Sequence, residues 1–131
     1  MNWLAMAVHW LHVLLAVLWF GGHLVRVLLV DPAVRRLPEP SKSEAQSFID
    51  RRATQIFVPA IVGVGVTGVL RGTIFGPINT LDALLGTPYG LTFLVGIAFG
   101  LLASYPSKPD WLLAVGLFGA FTAMILMHFG I

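Results

Sequence analysis

The chain has 131 residues, of which 57% are hydrophobic and only 11% charged, with a net charge of +2. A soluble domain carries about 25% charged residues, so the composition, with a mean hydropathy of +0.88, speaks against a water-soluble globule and for a polytopic membrane protein of one domain. The absence of cysteine excludes disulfides, thiolate-held iron–sulfur clusters and cysteine-based copper or zinc centres. The small positive balance is no nucleic-acid signature, because the basic residues stand beside apolar runs.

A membrane-crossing helix needs roughly 20 apolar residues. Four segments qualify: Trp3 to Val30, Phe57 to Phe75, Tyr89 to Tyr105 and Trp111 to Gly130. The first is too long for the apolar core of a signal peptide and lacks a basic stretch before it. The third is at the short end of the spanning range. The expected fold is all-α and integral to the membrane, an antiparallel four-transmembrane-helix bundle within a single domain over residues 1–131.

The connection from Asp31 to Gln55 is the only long one. Asp31, Pro32, Pro38 and Pro40 predict an irregular opening. Ser41 and Glu44 then read as a capping box, and Ala45, Gln46, Phe48 and Ile49 as a short amphipathic helix leading into the second span. Pro59 predicts a kink there. Between Gly76 and Pro88, Leu81 to Leu85 suggests one interfacial turn. The loop from Pro106 to Asp110 is tight, and Pro109 followed by Asp110 marks the start of the fourth helix.

Arg26, Arg35, Arg36, Lys42, Arg51, Arg52 and Lys108 fall on one side of this layout and only Arg71 on the other. Basic loops stay cytoplasmic, so the first and third loops are expected inside and both termini outside. Trp3, Trp10, Tyr89, Tyr105 and Trp111 stand near span ends, as aromatic belts do. The run Gly63-Val-Gly65-Val-Thr67-Gly68 fits a dinucleotide-binding spacing, but it lies inside a span with no preceding strand. Close helix packing is the better reading for it, as for the pairs Gly68/Gly72 and Gly96/Gly100. Glycines would equally make room for a flat macrocycle.

Four histidines stand in this apolar chain. Imidazole inside a bilayer is costly, so such residues face a bundle interior and serve a function. At about 100° per residue, His9, His12 and His23 share one face of the first helix, beside Ala16, Trp19 and Phe20. His12 lies about 13 Å along the helix from Trp3, and His9 about 9 Å. His128 ends the fourth span on the same outer side, so His9 or His12 is expected to face it across the bundle. Two imidazoles from facing helices are what six-coordinate haem needs. Ala16 leaves space for a porphyrin edge, and Arg71 is placed to pair with a propionate. His23, in the inner half, has no histidine at its level; it binds a second group or simply hydrogen-bonds a backbone carbonyl. Met6, Met124 and Met127 lie in the outer half as well, and thioether with imidazole suits copper(I), although methionine is also ordinary core filler. No carboxylate acid/base pair lies within the spans, so nothing points to hydrolysis.

The stretch from His9 to Gly22, with His12, then Trp19, then Gly21 and Gly22, resembles the first helix of two related groups. These are the bacterial copper-resistance D family of inner-membrane proteins and the four-helix, haem-carrying membrane protoporphyrinogen oxidase family. Arg26 followed by aliphatic residues is similar to the arginine after that motif in the oxidase group. The resemblance covers roughly residues 8 to 30 and otherwise rests on the four-span layout. It implies haem b at His12, or copper uptake across a bacterial plasma membrane. His23 stands where those families have an aliphatic residue, and the oxidase group's aromatic and histidine residues after the arginine are missing.

Three functions follow as expectations. The first is a haem b protein for electron transfer in a bacterial inner membrane, with a redox partner, a larger membrane complex or a second copy of itself. Its ligands would be drawn from His12, His128, His9 and His23, with Arg71 binding the cofactor edge. The second is copper handling by the same histidines with the methionines. The third is a haemless scaffold subunit.

Overall fold

The computed structural model describes residues 2–104 and 110–130, and these are helical with no strand among them. The expectations resting on Tyr105, Pro106, Lys108 and Pro109 lie outside the described residues. The chain divides into two compact units, residues 1–67 and 68–131.

In the first unit, α1 covers Trp3–Val25, and the Asn2 side chain caps it by accepting from the Ala5 amide at 3.2 Å. The helix continues through a π-helical segment, Arg26–Val30, into α2, Asp31–Arg35. The irregular opening expected at Asp31 is therefore absent. Pro32 falls in the first turn of α2, where the missing amide and fixed φ are tolerated. The wider π turn, closed by the Asp31 amide on the Arg26 carbonyl, takes up the change of register.

α3 covers Ser41–Gly72, so the segment before the second span runs into it without a break and Pro59 lies inside the helix. Apolar spans tolerate proline when neighbouring groups satisfy the freed carbonyl. The start of α3 is held by Glu39, not by the predicted box of Ser41 and Glu44. Its carboxylate accepts from the Ser43 amide at 3.3 Å and the Ser43 hydroxyl at 2.5 Å. An anion at that end also complements the helix dipole.

α1 and α3 run antiparallel. His12 meets Thr67, Leu15 meets Gly63, and Gly22 and His23 meet Phe57, so contacts climb α1 as they descend α3. Arg26 closes the series by binding Asp50, and it reaches Asp31 at 3.5 Å. Gly63 and Gly22 are small for a reason: a Cβ would stand 2.5 Å from Leu15 Cδ1 at the first and 2.5 Å from Phe57 Cε1 at the second.

In the second unit α4 covers Leu81–Gly86, α5 Pro88–Ser104 and α6 Asp110–His128. α4 is the turn expected around Leu81, capped by the Thr80 hydroxyl accepting from the Ala83 amide at 3.1 Å. α5 and α6 are antiparallel, with Gly96 against Ala123 and Gly116 against Ala103. Gly72 packs on Phe93, whereas Gly100 has nothing within 4 Å of its Cβ position. One member of each predicted glycine pair thus has an observed packing partner.

Three helical stretches, Trp3–Arg35, Ser41–Gly72 and Asp110–His128, are long and apolar enough to cross a membrane, and α5 is a shorter apolar helix. Only 11% of the most apolar window of the first is buried within the protein. Leu11, Val13, Leu14, Val17 and Leu18 stand exposed on α1. Water would not leave such a surface bare, so lipid is the solvent these helices are built for.

Candidate functional site: a buried histidine pinned by a threonine

The residues buried on α1 are His12, Ala16 and Trp19. They fall at helical spacing on one stripe, the face predicted to turn inward. α1 can bury imidazole there because Thr67, on the facing helix, supplies a polar partner. His12 is 9% exposed and Thr67 6%, and they are the buried polar side chains of the described residues.

His12 Nδ1 lies 2.9 Å from Thr67 Oγ1. The direction of this bond follows from the next one. Thr67 Oγ1 is 2.6 Å from the carbonyl of Gly63, one turn back on α3, and a carbonyl only accepts. The single hydroxyl proton is therefore given to Gly63, and Thr67 accepts from His12 Nδ1–H. In the neutral ring the lone pair then resides on Nε2. This is the arrangement by which proteins fix a ligating imidazole: one ring nitrogen held by an outer partner, the other basic toward a metal.

His23 repeats the pattern locally. Its Nδ1 lies 2.9 Å from the Trp19 carbonyl, so Nδ1–H donates and Nε2 again carries the lone pair. Its ring stacks on Phe57 with centroids 4.3 Å apart and planes 26° from parallel, and meets Trp19 edge-on at 6.5 Å. The backbone-bonded reading of His23 is thus observed. Trp19 Nε1 is buried with no hydrogen-bond partner among the described residues.

The other predicted residues are placed as follows. His9 is half-buried on α1, one turn before His12. Arg71 is half-buried in the last turn of α3, and His128 is exposed at the end of α6, edge-on to Phe129 at 5.5 Å. Both belong to the second unit. Met6 is exposed and Met124 and Met127 are half-buried. Among the described residues no three His, Asp or Glu side chains converge as a metal-holding group. Sequence reasoning missed Thr67 and Phe57. The signal for Thr67 was a hydroxyl within an otherwise apolar glycine-rich run; Phe57 carried none, since aromatic residues are common at span ends.

No protein family matches the chain, nor does any curated protein or solved structure.

Proposed function

We propose that this is a four-span membrane protein that would hold haem b through His12 Nε2 and carry electrons within a bacterial plasma membrane. The observation that carries the reading is the His12–Thr67–Gly63 chain of hydrogen bonds at 2.9 and 2.6 Å. A buried histidine with Nδ1–H spent and Nε2 basic has the donor chemistry of a haem ligand. Ala16, buried one turn further along the same stripe, adds no bulk beside it. Trp19 Nε1 offers a second buried donor on that face.

Bound there, haem would supply reversible one-electron chemistry at iron. Thr67, by accepting from Nδ1–H, fixes the tautomer and ring orientation of His12. The His12 side chain is buried, 9% exposed. The excess of basic residues in the first loop supports both termini on the outer side.

The test is an optical spectrum of the detergent-purified chain, oxidised and then reduced with dithionite, with metal analysis on the same sample. A sharp Soret band and a resolved reduced α band, both lost in His12→Ala, are expected. A coloured protein whose spectrum is unchanged in His12→Ala overturns the ligand assignment. A colourless protein carrying copper overturns haem in favour of copper handling, and a colourless, metal-free one in favour of a scaffold.

A further inference from the structure

Phe48, Arg51, Arg52 and Gln55 follow one another at spacings of three, one and three residues, so they share one face of α3. Together they line a surface cleft of about 240 Å³. Phe48, Arg51, Arg52 and Gln55 are all exposed. Arg52 stacks over the Phe48 ring at 5.9 Å, and its Nη1 donates to Gln55 Oε1 at 3.4 Å. That bond occupies the acceptor of Gln55 and leaves its amide N–H₂ as a donor, so the cleft presents two guanidinium groups and an amide donor. Neither arginine is ion-paired among the described residues. Asp50, the carboxylate next to them in sequence, is taken by Arg26 and by Gln46 Nε2 at 3.1 Å. The cleft is therefore cationic and built from donors.

Its height relative to the membrane narrows the ligand. Exposed apolar side chains resume immediately after it, at Ile56 and Val58. Arg51 and Arg52 precede Ile56 by four or five residues, roughly 6–8 Å along the helix. A bilayer of about 40–45 Å with a hydrocarbon core of about 30 Å leaves a polar layer of roughly 5–8 Å on each face. Both guanidiniums thus stand at the level of lipid phosphates. Arginine's planar fork matches phosphate oxygens in pairs, and the Phe48 ring supplies an apolar wall beside them.

We propose that this cleft binds the phosphate headgroup of an anionic phospholipid and so fixes the depth of α3 in the membrane. The inference is independent of any cofactor at His12. A zwitterionic headgroup carries its own cation and gains little from two arginines, so the site discriminates by net charge.

The full chain in detergent is exposed to an equimolar mixture of phosphatidylglycerol and phosphatidylcholine, and retained lipid is measured by native mass spectrometry. Wild type is expected to retain phosphatidylglycerol with roughly fivefold or greater preference, the increment expected for one basic residue at a charged surface. Arg51→Gln/Arg52→Gln is expected at parity, with unchanged helix content by circular dichroism because both side chains are exposed. Arg35→Gln/Arg36→Gln, which alters charge elsewhere in the same segment, is expected to keep the preference. Parity in wild type overturns the proposal. So does an unchanged preference in the Arg51/Arg52 variant, or an equal loss in the Arg35/Arg36 variant, which would mean diffuse charge rather than a site. Displacement of the lipid by millimolar inorganic phosphate would make the cleft a site for free anions and also overturn it.

Discussion

His12 Nδ1 and Thr67 Oγ1 lie 2.9 Å apart across two antiparallel helices, fifty-five positions apart in the chain. The bond has a fixed polarity because the Thr67 hydroxyl gives its proton to Gly63, 2.6 Å away. The lone pair of the neutral imidazole is thereby left on Nε2. The bond bears on helix association and, if His12 holds haem as proposed, on cofactor affinity.

Thr67→Val keeps the shape and removes the acceptor. Loss of such an outer partner costs about 10–100-fold in metal affinity. Haem titrated into the Thr67→Val protein is therefore expected to bind weaker by that factor, with Thr67→Ser restoring most of the loss. Equal affinity in wild type and Thr67→Val would show that the hydroxyl does not serve the ligand.

The same pair joins α1 to α3. An unsatisfied buried donor costs about 1–3 kcal/mol in a soluble protein. In membranes the unfolded chain also finds partners, and measured couplings average about 0.6 kcal/mol with a maximum near 1.7. A double-mutant cycle of His12→Ala and Thr67→Ala, read by unfolding in mixed micelles, is expected in the lower range. Strict additivity of the two substitutions would contradict the bond.

Four glycines rank themselves by what a methyl group would meet. At Gly116 the neighbour is the Ala103 backbone nitrogen at 2.7 Å, which moves only if α5 moves. At Gly22 it is the Phe57 ring at 2.5 Å, itself stacked on His23. At Gly96 it is Ala123 Cβ at 3.2 Å, and at Gly65 nothing lies within 4 Å. Overpacking costs about 1–3 kcal/mol, so Gly116→Ala and Gly22→Ala are expected to destabilise by that amount, and Gly96→Ala by less. Gly65→Ala is expected neutral or slightly stabilising. Thermal unfolding in one detergent ranks the series; a destabilised Gly65→Ala with a silent Gly116→Ala would refute the packing described.

Arg26 faces two carboxylates, Asp31 and Asp50, with about a quarter of its side chain exposed, as is that of Asp31. Partly exposed pairs contribute about 0.2–1 kcal/mol. Arg26→Gln is expected to lower stability by about that much, and the deficit should shrink as salt is raised. A deficit that grows with salt would be incompatible with an ion-pair origin.

Composition and hydrophobic run length are properties of the chain itself, and they alone determine that helices fit for a membrane form here. The lengths of α1 and α6 follow from nearly uninterrupted apolar residues, because a bilayer accepts only segments that satisfy their own backbone, whereas α3 joins a polar stretch, Ser41 to Gln55, to an apolar one. The inward stripe of His12, Ala16 and Trp19 was legible too, since helical periodicity places them on one face. Local capping was less so. Ser41 and Glu44 fit the capping pattern, yet Glu39 holds the helix start, because the fold brings its carboxylate to the Ser43 amide and hydroxyl. Asp31 and Pro32 looked irregular but continue the helix, because a π turn absorbs what periodicity treats as a break.

The partner of His12 could not be read from the sequence. Thr67 is one of several hydroxyls in apolar surroundings, and only the antiparallel register of α1 and α3 brings it to the imidazole. Phe57 meets His23 for the same reason, and Arg51, Arg52 and Gln55 form a cleft only because one helix runs on from the loop into the span. Which nitrogen of His12 is basic rests on a chain of two hydrogen bonds, each set by which groups the folded helices place within 3 Å. The sequence by itself determined a helical membrane protein with imidazole on an inner face. The tertiary structure decided the tautomer of that imidazole, because a proton's position depends on neighbours in space rather than in sequence.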